Sequence, residues 1–291
     1  MSRSNLYERP GELPAKRGPY AKLEDSELLP LIIEIVDKRP TYGYRRVCAL
    51  LNRELVKRVS PPVNHKRVYR LMKLHGLLLT RHPKRHETRS HTGKIVTEKS
   101  DQRWCSDGFE LTCATGEKVR TIFVLDCCDR EIISFVASTS GYTAEMAQNA
   151  LLAAVEKRFG SDKASHWVEW LTDNGSCFTA KDTLALSREI GIINCFTPIR
   201  SPESNGMAEA FVKTIKRDYV SCNQLPDART VMLQLKKWIE DYNEYAPHKG
   251  LGWLSPRQFR RKMPPNGNFP LSRARHKSRV GQKNARPRKC P

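Results

Sequence analysis

The stretch from Val168 to Lys216 limits the architecture more than any other part of the chain. A short apolar run of Val168, Trp170 and Leu171 ends in Thr172-Asp173-Asn174-Gly175. This reads as a buried strand that delivers a carboxylate into a turn at its C-terminal end. Thirty-five residues then separate Asp173 from Glu209. That interval holds one helix over about 180–189, a strand over 192–197, a Pro-containing loop and the first turn of another helix. An earlier strand, WCSDGFEL, carries Asp107. Two Asp on strands and a Glu on a helix can converge at one edge of a sheet. Three acids so placed repel one another unless cations are bound, so the trio implies a divalent-metal site.

The chain's 291 residues can bury a sizeable core and suggest two folded units with tails. Its 51 Lys and Arg against 31 Asp and Glu leave a net charge of +20, which favours a polyanionic partner, nucleic acid before an anionic membrane. The surplus lies outside the acidic segment. Ten Lys or Arg and one acid fall between Lys57 and Arg89, and eight with no acid between Leu271 and Pro291. Nine scattered cysteines without a CxxC pair, and no signal-like start, read as reduced thiols of a cytoplasmic protein. His82, His86 and His91 have loosely ligand-like spacing but lack the cysteine partners of a zinc site. No apolar run approaches the ~20 residues of a membrane span.

In chain order, residues 1–24 read as a flexible basic leader and 25–80 as three short helices. Asp25-Ser26 is expected to cap the first helix, and Asn64 to His75 to form the third, ending at Gly76. That third helix presents Lys66, Arg67, Arg70 and Lys73, as the recognition helix of a helix-turn-helix would; the alternative is a solvated basic face. A polar linker spans 81–97. In the segment 98–265, three meandering strands over 104–112, 118–126 and 131–138 precede a helix capped by Thr143. Alternating strands and helices follow, an α/β pattern. A last helix over about 228–242 carries Val231, Leu233, Leu235 and Trp238, and 266–291 is a basic tail.

The Asp, Asp and Glu, the NG after Asp173, the SPESNGMAE lead-in and Lys216 seven positions past Glu209 resemble the retroviral-integrase superfamily. More narrowly, RPTYGYRRV, VNHKRVYRLMKLHGLL and YNEYAPHKGLGWLSP, in this order around that core, resemble the second-frame (OrfB) transposases of the third insertion-sequence family. The resemblance implies a ribonuclease-H-like five-stranded mixed sheet with flanking helices, preceded by a small all-α helix-turn-helix domain. It implies Asp107, Asp173 and Glu209 as catalytic metal ligands, although SDG stands where the family more usually has Asp-hydrophobic-Thr. Asp126 and Asp129, after the apolar strand 121–125, are rival carboxylates with an equally good reading as turn formers. The implied chemistry is phosphoryl transfer with two Mg²⁺ ions about 3.5–4 Å apart, Mn²⁺ substituting. It would cleave element ends and join their 3′-hydroxyls to DNA.

Expected partners are double-stranded DNA, namely terminal inverted repeats and target, further copies of the chain, and an upstream-frame DNA-binding partner or fusion. Association with a bacterial nucleoid would follow. On the Glu209 helix, Lys213 and Lys216 share a face with the Glu and are candidate phosphate grips. Asn174 and Asn205 are turn or cap residues that could touch DNA. Ser201, Pro202, Glu203 and Ser204 form the loop before that helix, and His248 belongs to a C-terminal pattern read as structural. Two other readings compete: a metal-dependent nuclease or resolvase of the same fold, and a DNA-binding repressor without activity.

Overall fold

The computed structural model describes residues 24–80, 97–197 and 205–263. The leader, the linker with its three histidines, the 198–204 loop with Glu203, and the basic tail lie outside the described residues. Five strands make one mixed sheet in the order β3-β2-β1-β4-β5. They are β1 (Arg103–Thr112), β2 (Lys118–Asp126), β3 (Ile132–Ser138), β4 (Val168–Thr172) and β5 (Ile192–Phe196). β2 and β3 pair antiparallel, while β1 with β4 and β4 with β5 pair parallel. Cys127 N donates to Arg103 O at 3.0 Å, so β2 ends where β1 begins.

Fully buried Trp104, Ile122, Val124, Val168, Trp170 and Ile192 cover one face of this sheet. Against them pack Met146, Ala147, Ala150, Leu151, Ala154 and Val155 of α4 (Ala144–Phe159), with Cys177 and Phe178 of α5 (Ser176–Thr179). Each such large side chain contributes about 1.5–3 kcal/mol by leaving water. The small Ala147, Ala150 and Ala154 let α4 lie close to the strands, and Thr143 caps it by accepting from Met146 N at 3.2 Å. Ile190, just past α6 (Lys181–Glu189), belongs to the same cluster.

The chain divides into two compact units, cut differently from the boundaries read in the sequence. One takes the described parts of 91–111, 118–209 and 256–291; the other takes those of 1–90 with 112–117 and 210–255. In the second unit, α1 (Asp25–Lys38), α2 (Tyr44–Lys57) and α3 (His65–Leu74) share a core of Leu28, Ile32, Val47, Leu51, Val68, Leu71 and Met72. It also contains most of α7 (Gly206–Asp218) and all of α8 (Ala228–Tyr245). Three arginines seven residues apart join the N-terminal helices to these later ones. Arg39 donates to Asp241 (2.6 Å), Arg46 to Asp218 (2.7 Å), and Arg53 to the carbonyls of Tyr245 (2.8 Å) and Trp253 (2.9 Å). Asp218 is buried. Burial raises its pKa, but the Arg217 hydrogen bond and the Arg46 charge outweigh that and hold it below the usual carboxylate range.

Several local expectations change. Asp25 does not cap α1: it is the first helical residue, and its carboxylate pairs with α3. Of the apolar residues carried by the last helix, Leu233 is 62% exposed, because α8 buries the stripe of Val231, Leu235, Trp238, Ile239 and Tyr242. A further helix, α9 (Pro256–Lys262), follows α8 in a stretch for which the sequence marked no element. The eight described cysteines are free thiols, and only Cys222 is exposed. Among the described residues, no helix is long and apolar enough to cross a membrane.

Candidate active site

β1 and β4 run parallel with Cys105 opposite Leu171. Continuing that register by two residues sets Asp107 beside Asp173, on neighbouring strands about 4.8 Å apart. Asp107 lies within β1, and Asp173 is the first residue past β4. The turn after Asp173 is shaped by its own side chains. Gly175 N donates to Asp173 Oδ1 at 3.1 Å, and Asn174 Nδ2 donates to Thr197 O at 3.1 Å, tying the turn to the end of β5. A Cβ on Gly175 would stand 3.0 Å from that same Asp173 oxygen, so glycine keeps the carboxylate uncrowded.

Glu209 sits in the first turn of α7, and the start of α7 is anchored to the sheet. Asn205 Nδ2 donates to Ser106 O at 2.8 Å, one residue before Asp107. Trp170 Nε1 holds the Ser106 hydroxyl at 2.6 Å. Asn205 is only 6% exposed, and its Oδ1 has no hydrogen-bond partner among the described residues. Its amide therefore works inward, as a positioning group for the helix that carries Glu209. Among the described residues no three His, Cys, Asp or Glu side chains are grouped closely enough to hold a metal ion. Asp107, Asp173 and Glu209 offer only carboxylate oxygen, chemistry that suits a hard cation such as Mg²⁺.

Asp126 and Asp129 occupy the other end of the sheet. The Asp126 carboxylate accepts backbone N–H groups of Asp101 (2.6 Å), Cys128 (2.7 Å) and Asp129 (2.9 Å), as a turn former does. Burial, then the Asp129 charge, pushes its pKa far above the usual range. Burial pushes Asp129 up to about 6 even with Arg158 against it.

Tyr142 is a neighbour of the site that the sequence did not single out. A Cβ on Gly108 would come within 2.8 Å of the Tyr142 ring, so only glycine lets the ring lie against the backbone just after Asp107. Burial, then the charges of Glu110 and Asp107, pushes the phenol up to about 12 and keeps it a proton donor. The signal available was a glycine directly following the first strand carboxylate.

On α3, Lys66 and Lys73 are exposed, whereas Arg67 and Arg70 turn back onto α1. Arg67 Nε lies 2.6 Å from Asp25 and its Nη1 3.1 Å from Glu24, and Arg70 also pairs with Asp25. Lys213 and Lys216 are both exposed on α7. His248 packs its ring edge-on against Tyr242, with centroids 5.0 Å apart, as a structural residue would.

The HTH-like domain family matches residues 22–86, and the integrase core domain family matches 97–202 and again 191–256. The transposase InsD for insertion element IS2A/D/F/H/I/K of Escherichia coli is 49% identical over 245 residues, covering 84% of this chain and 81% of that protein. InsD of insertion element IS2-9 from Escherichia coli strain K12 is also 49% identical over 245 residues, covering 84% of this chain and 80% of its own length. Among solved structures, a chain of the simian T-cell lymphotropic virus intasome in complex with the PP2A regulatory subunit B56 gamma superposes with a TM-score of 0.50. It shares 17% identity over 73% of this chain and 72% of its own, a likeness of fold alone.

Proposed function

Since the chain belongs to the insertion-element transposases, of the second-frame type of the third insertion-sequence family, we propose that Asp107, Asp173 and Glu209 carry its DNA cleavage and joining. The observation behind this assignment is the register that sets Asp107 beside Asp173, with Asn205 fixing the start of the Glu209 helix to the next carbonyl. The three carboxylates would hold the Mg²⁺ ions; when bound, these supply activation of the attacking oxygen and stabilisation of the leaving 3′-oxygen. Because the carboxylates serve as ligands, none has to be a proton carrier. Gly175 and Asn174 keep the Asp173 turn open to a phosphodiester. Tyr142, protonated throughout the working pH range, offers a hydroxyl beside Asp107.

Lys66, Lys73, Lys213 and Lys216, all exposed, are assigned to phosphates of the element end or target. Arg67 and Arg70 join them once released from Asp25. Double-stranded DNA is the substrate, further copies of the chain and an upstream-frame product are its protein partners, and 25–80 acts as the end-binding segment.

Purified protein with duplexes of the element's ends tests this. Cleavage and joining should require Mg²⁺ or Mn²⁺, and Asp107→Asn, Asp173→Asn and Glu209→Gln should each abolish both while leaving duplex binding intact. Activity that persists in a chelator, or in Glu209→Gln, refutes the assignment. Joining separates this reading from a nuclease or resolvase, which would only cut.

A further inference from the structure

At the sheet end opposite the Asp173 turn, a cleft of about 250 Å³ is lined by Glu131, Lys157, Arg158, Arg257, Arg260 and Arg261. Five cations face one carboxylate. Behind them, half-buried Asp101 and buried Asp129 offset part of the charge: Arg158 lies 3.3 Å from Asp101 and 3.2 Å from Asp129, and Arg260 lies 3.6 Å from each. Glu131 is itself engaged, 3.0 Å from Arg257, 3.3 Å from Arg158, 3.8 Å from Lys157 and 3.9 Å from Arg260. Even with Asp101, Asp126, Asp129 and Glu131 all charged, the cluster keeps a positive surplus. The donors also outnumber the acceptors. Arg158 has a side chain only 2% exposed, yet among the described residues its Nη1 has no hydrogen-bond partner, and neither has Nη1 of Arg260.

A buried guanidinium with an unused donor is costly unless an acceptor arrives. Guanidinium forks match the paired oxygens of a phosphate, and several converging on one opening favour a phosphate over a carboxylate-sized mate. The cleft volume equals roughly eight waters at ~30 Å³ each, room for a phosphodiester and the ester oxygens on either side. From Asp101 to Asp107 the chain advances six residues, roughly 20 Å at strand rise. A phosphate held here is therefore not the one being cut.

The geometry points to this cleft as a second DNA grip, in which Arg158, Arg260 and Arg261 hold one backbone phosphate of a duplex segment remote from the catalytic edge. It rests on the chain being a DNA transposase. The fixed Arg158 supplies the buried fork, while Arg260 and Arg261 on α9 supply the outer donors. Such a contact is independent of sequence and adds to the salt dependence of binding.

The test uses the full chain, a duplex of scrambled sequence and a chelator to silence cleavage. Binding is measured across a salt series for the natural protein, for Arg260→Gln/Arg261→Gln, and for Arg261→Gln alone, whose side chain is exposed. The log–log slope should fall by about 0.9 in the double variant, one phosphate lost, with a smaller drop in the single one. In parallel, melting in sodium phosphate is compared with sodium chloride at equal ionic strength. Phosphate should raise the melting temperature of the natural protein and not of the double variant. An unchanged slope, with or without a lower melting temperature, overturns the inference and leaves a structural ion network. Phosphate protection without a slope change overturns it too, since the site would then take free phosphate. If the natural protein binds no duplex at all, the transposase reading fails rather than this one.

Discussion

Replacing Asn205 by Ala isolates the step by which the fold places its third carboxylate. Asn205 Nδ2 gives the Ser106 carbonyl a 2.8 Å hydrogen bond in a buried setting. Removing it leaves that carbonyl without its side-chain donor and out of reach of water, at a cost of about 1–3 kcal/mol. At roughly 2–4 °C per kcal/mol for a protein of this size, the melting temperature should drop by roughly 2–12 °C. The functional loss should be larger. Glu209 lies four residues on, about one turn or 6 Å along α7. A helix start freed to shift by about 1 Å would misplace the carboxylate enough to slow joining by about 10²-fold. Asn205→Asp should be worse than Asn205→Ala, because it sets a second oxygen against the Ser106 carbonyl and a negative charge near Asp107. The assays are thermal melting, single-turnover joining of a pre-cleaved end, and duplex affinity in chelator, which should barely change. If Asn205→Ala joins at the natural rate, or if Asn205→Asp equals the natural protein, the bond does not position Glu209.

Asp25→Asn should tighten binding to element ends and steepen its salt slope by up to about 0.9 for each of Arg67 and Arg70 that exchanges carboxylate for phosphate. An unchanged slope, with Lys66→Ala/Lys73→Ala flattening it, would make the arginines structural. Gly108→Ala should cost about 1–3 kcal/mol by driving a Cβ into the Tyr142 ring, and much less in a Tyr142→Ala background; equal costs in both backgrounds would refute the contact. Asp218 has a folded pKa below its unfolded value near 3.9, so its stabilising share is full above that pH and fades as pH falls through the folded value. Asp218→Asn should therefore lower stability at neutral pH by about 3–5 kcal/mol, the cost of breaking a buried pair. It should also leave a shallower acid limb in urea melts collected from pH 3 to 7; an unchanged limb would refute the shifted pKa.

The sheet was legible because its strands are apolar, short and bounded by turn residues. Each of the five strands falls within a residue or two of where period and punctuation put it. Asp173 was legible for the same reason, as a carboxylate at the first polar step after a buried run. What could not be read were contacts between segments far apart in sequence. Arg67 and Arg70 look like a recognition face on a helical wheel, and only the fold shows Asp25 and Glu24, more than 40 residues earlier, reaching them. Arg39, Arg46 and Arg53 counted as surplus positive charge, yet they reach partners 172 to 202 residues away. A count of 51 Lys and Arg thus overstates the cations that DNA meets, since several are spent inside the fold.

The same distinction separates the two carboxylate groups of the core. Asp126 and Asp173 both end apolar strands, and composition cannot tell them apart. β2 runs antiparallel to β1 and β4 runs parallel to it, so the two strand ends point to opposite edges. Asp126 then meets the N-terminal start of β1, where its lone pairs are taken up by three backbone N–H groups. Asp173 leaves β4 at the opposite edge, where the β1–β4 register, continued by two residues, sets it beside Asp107 and where Asn205 ties the start of α7 to Ser106. Strand direction, set by a hairpin in one case and a helical crossover in the other, makes one aspartate a structural turn former and puts the other at the edge proposed here to hold metal. Reversing the identities should show it. Asp126→Asn should lower the melting temperature and leave joining per folded molecule intact, while Asp173→Asn should do the opposite.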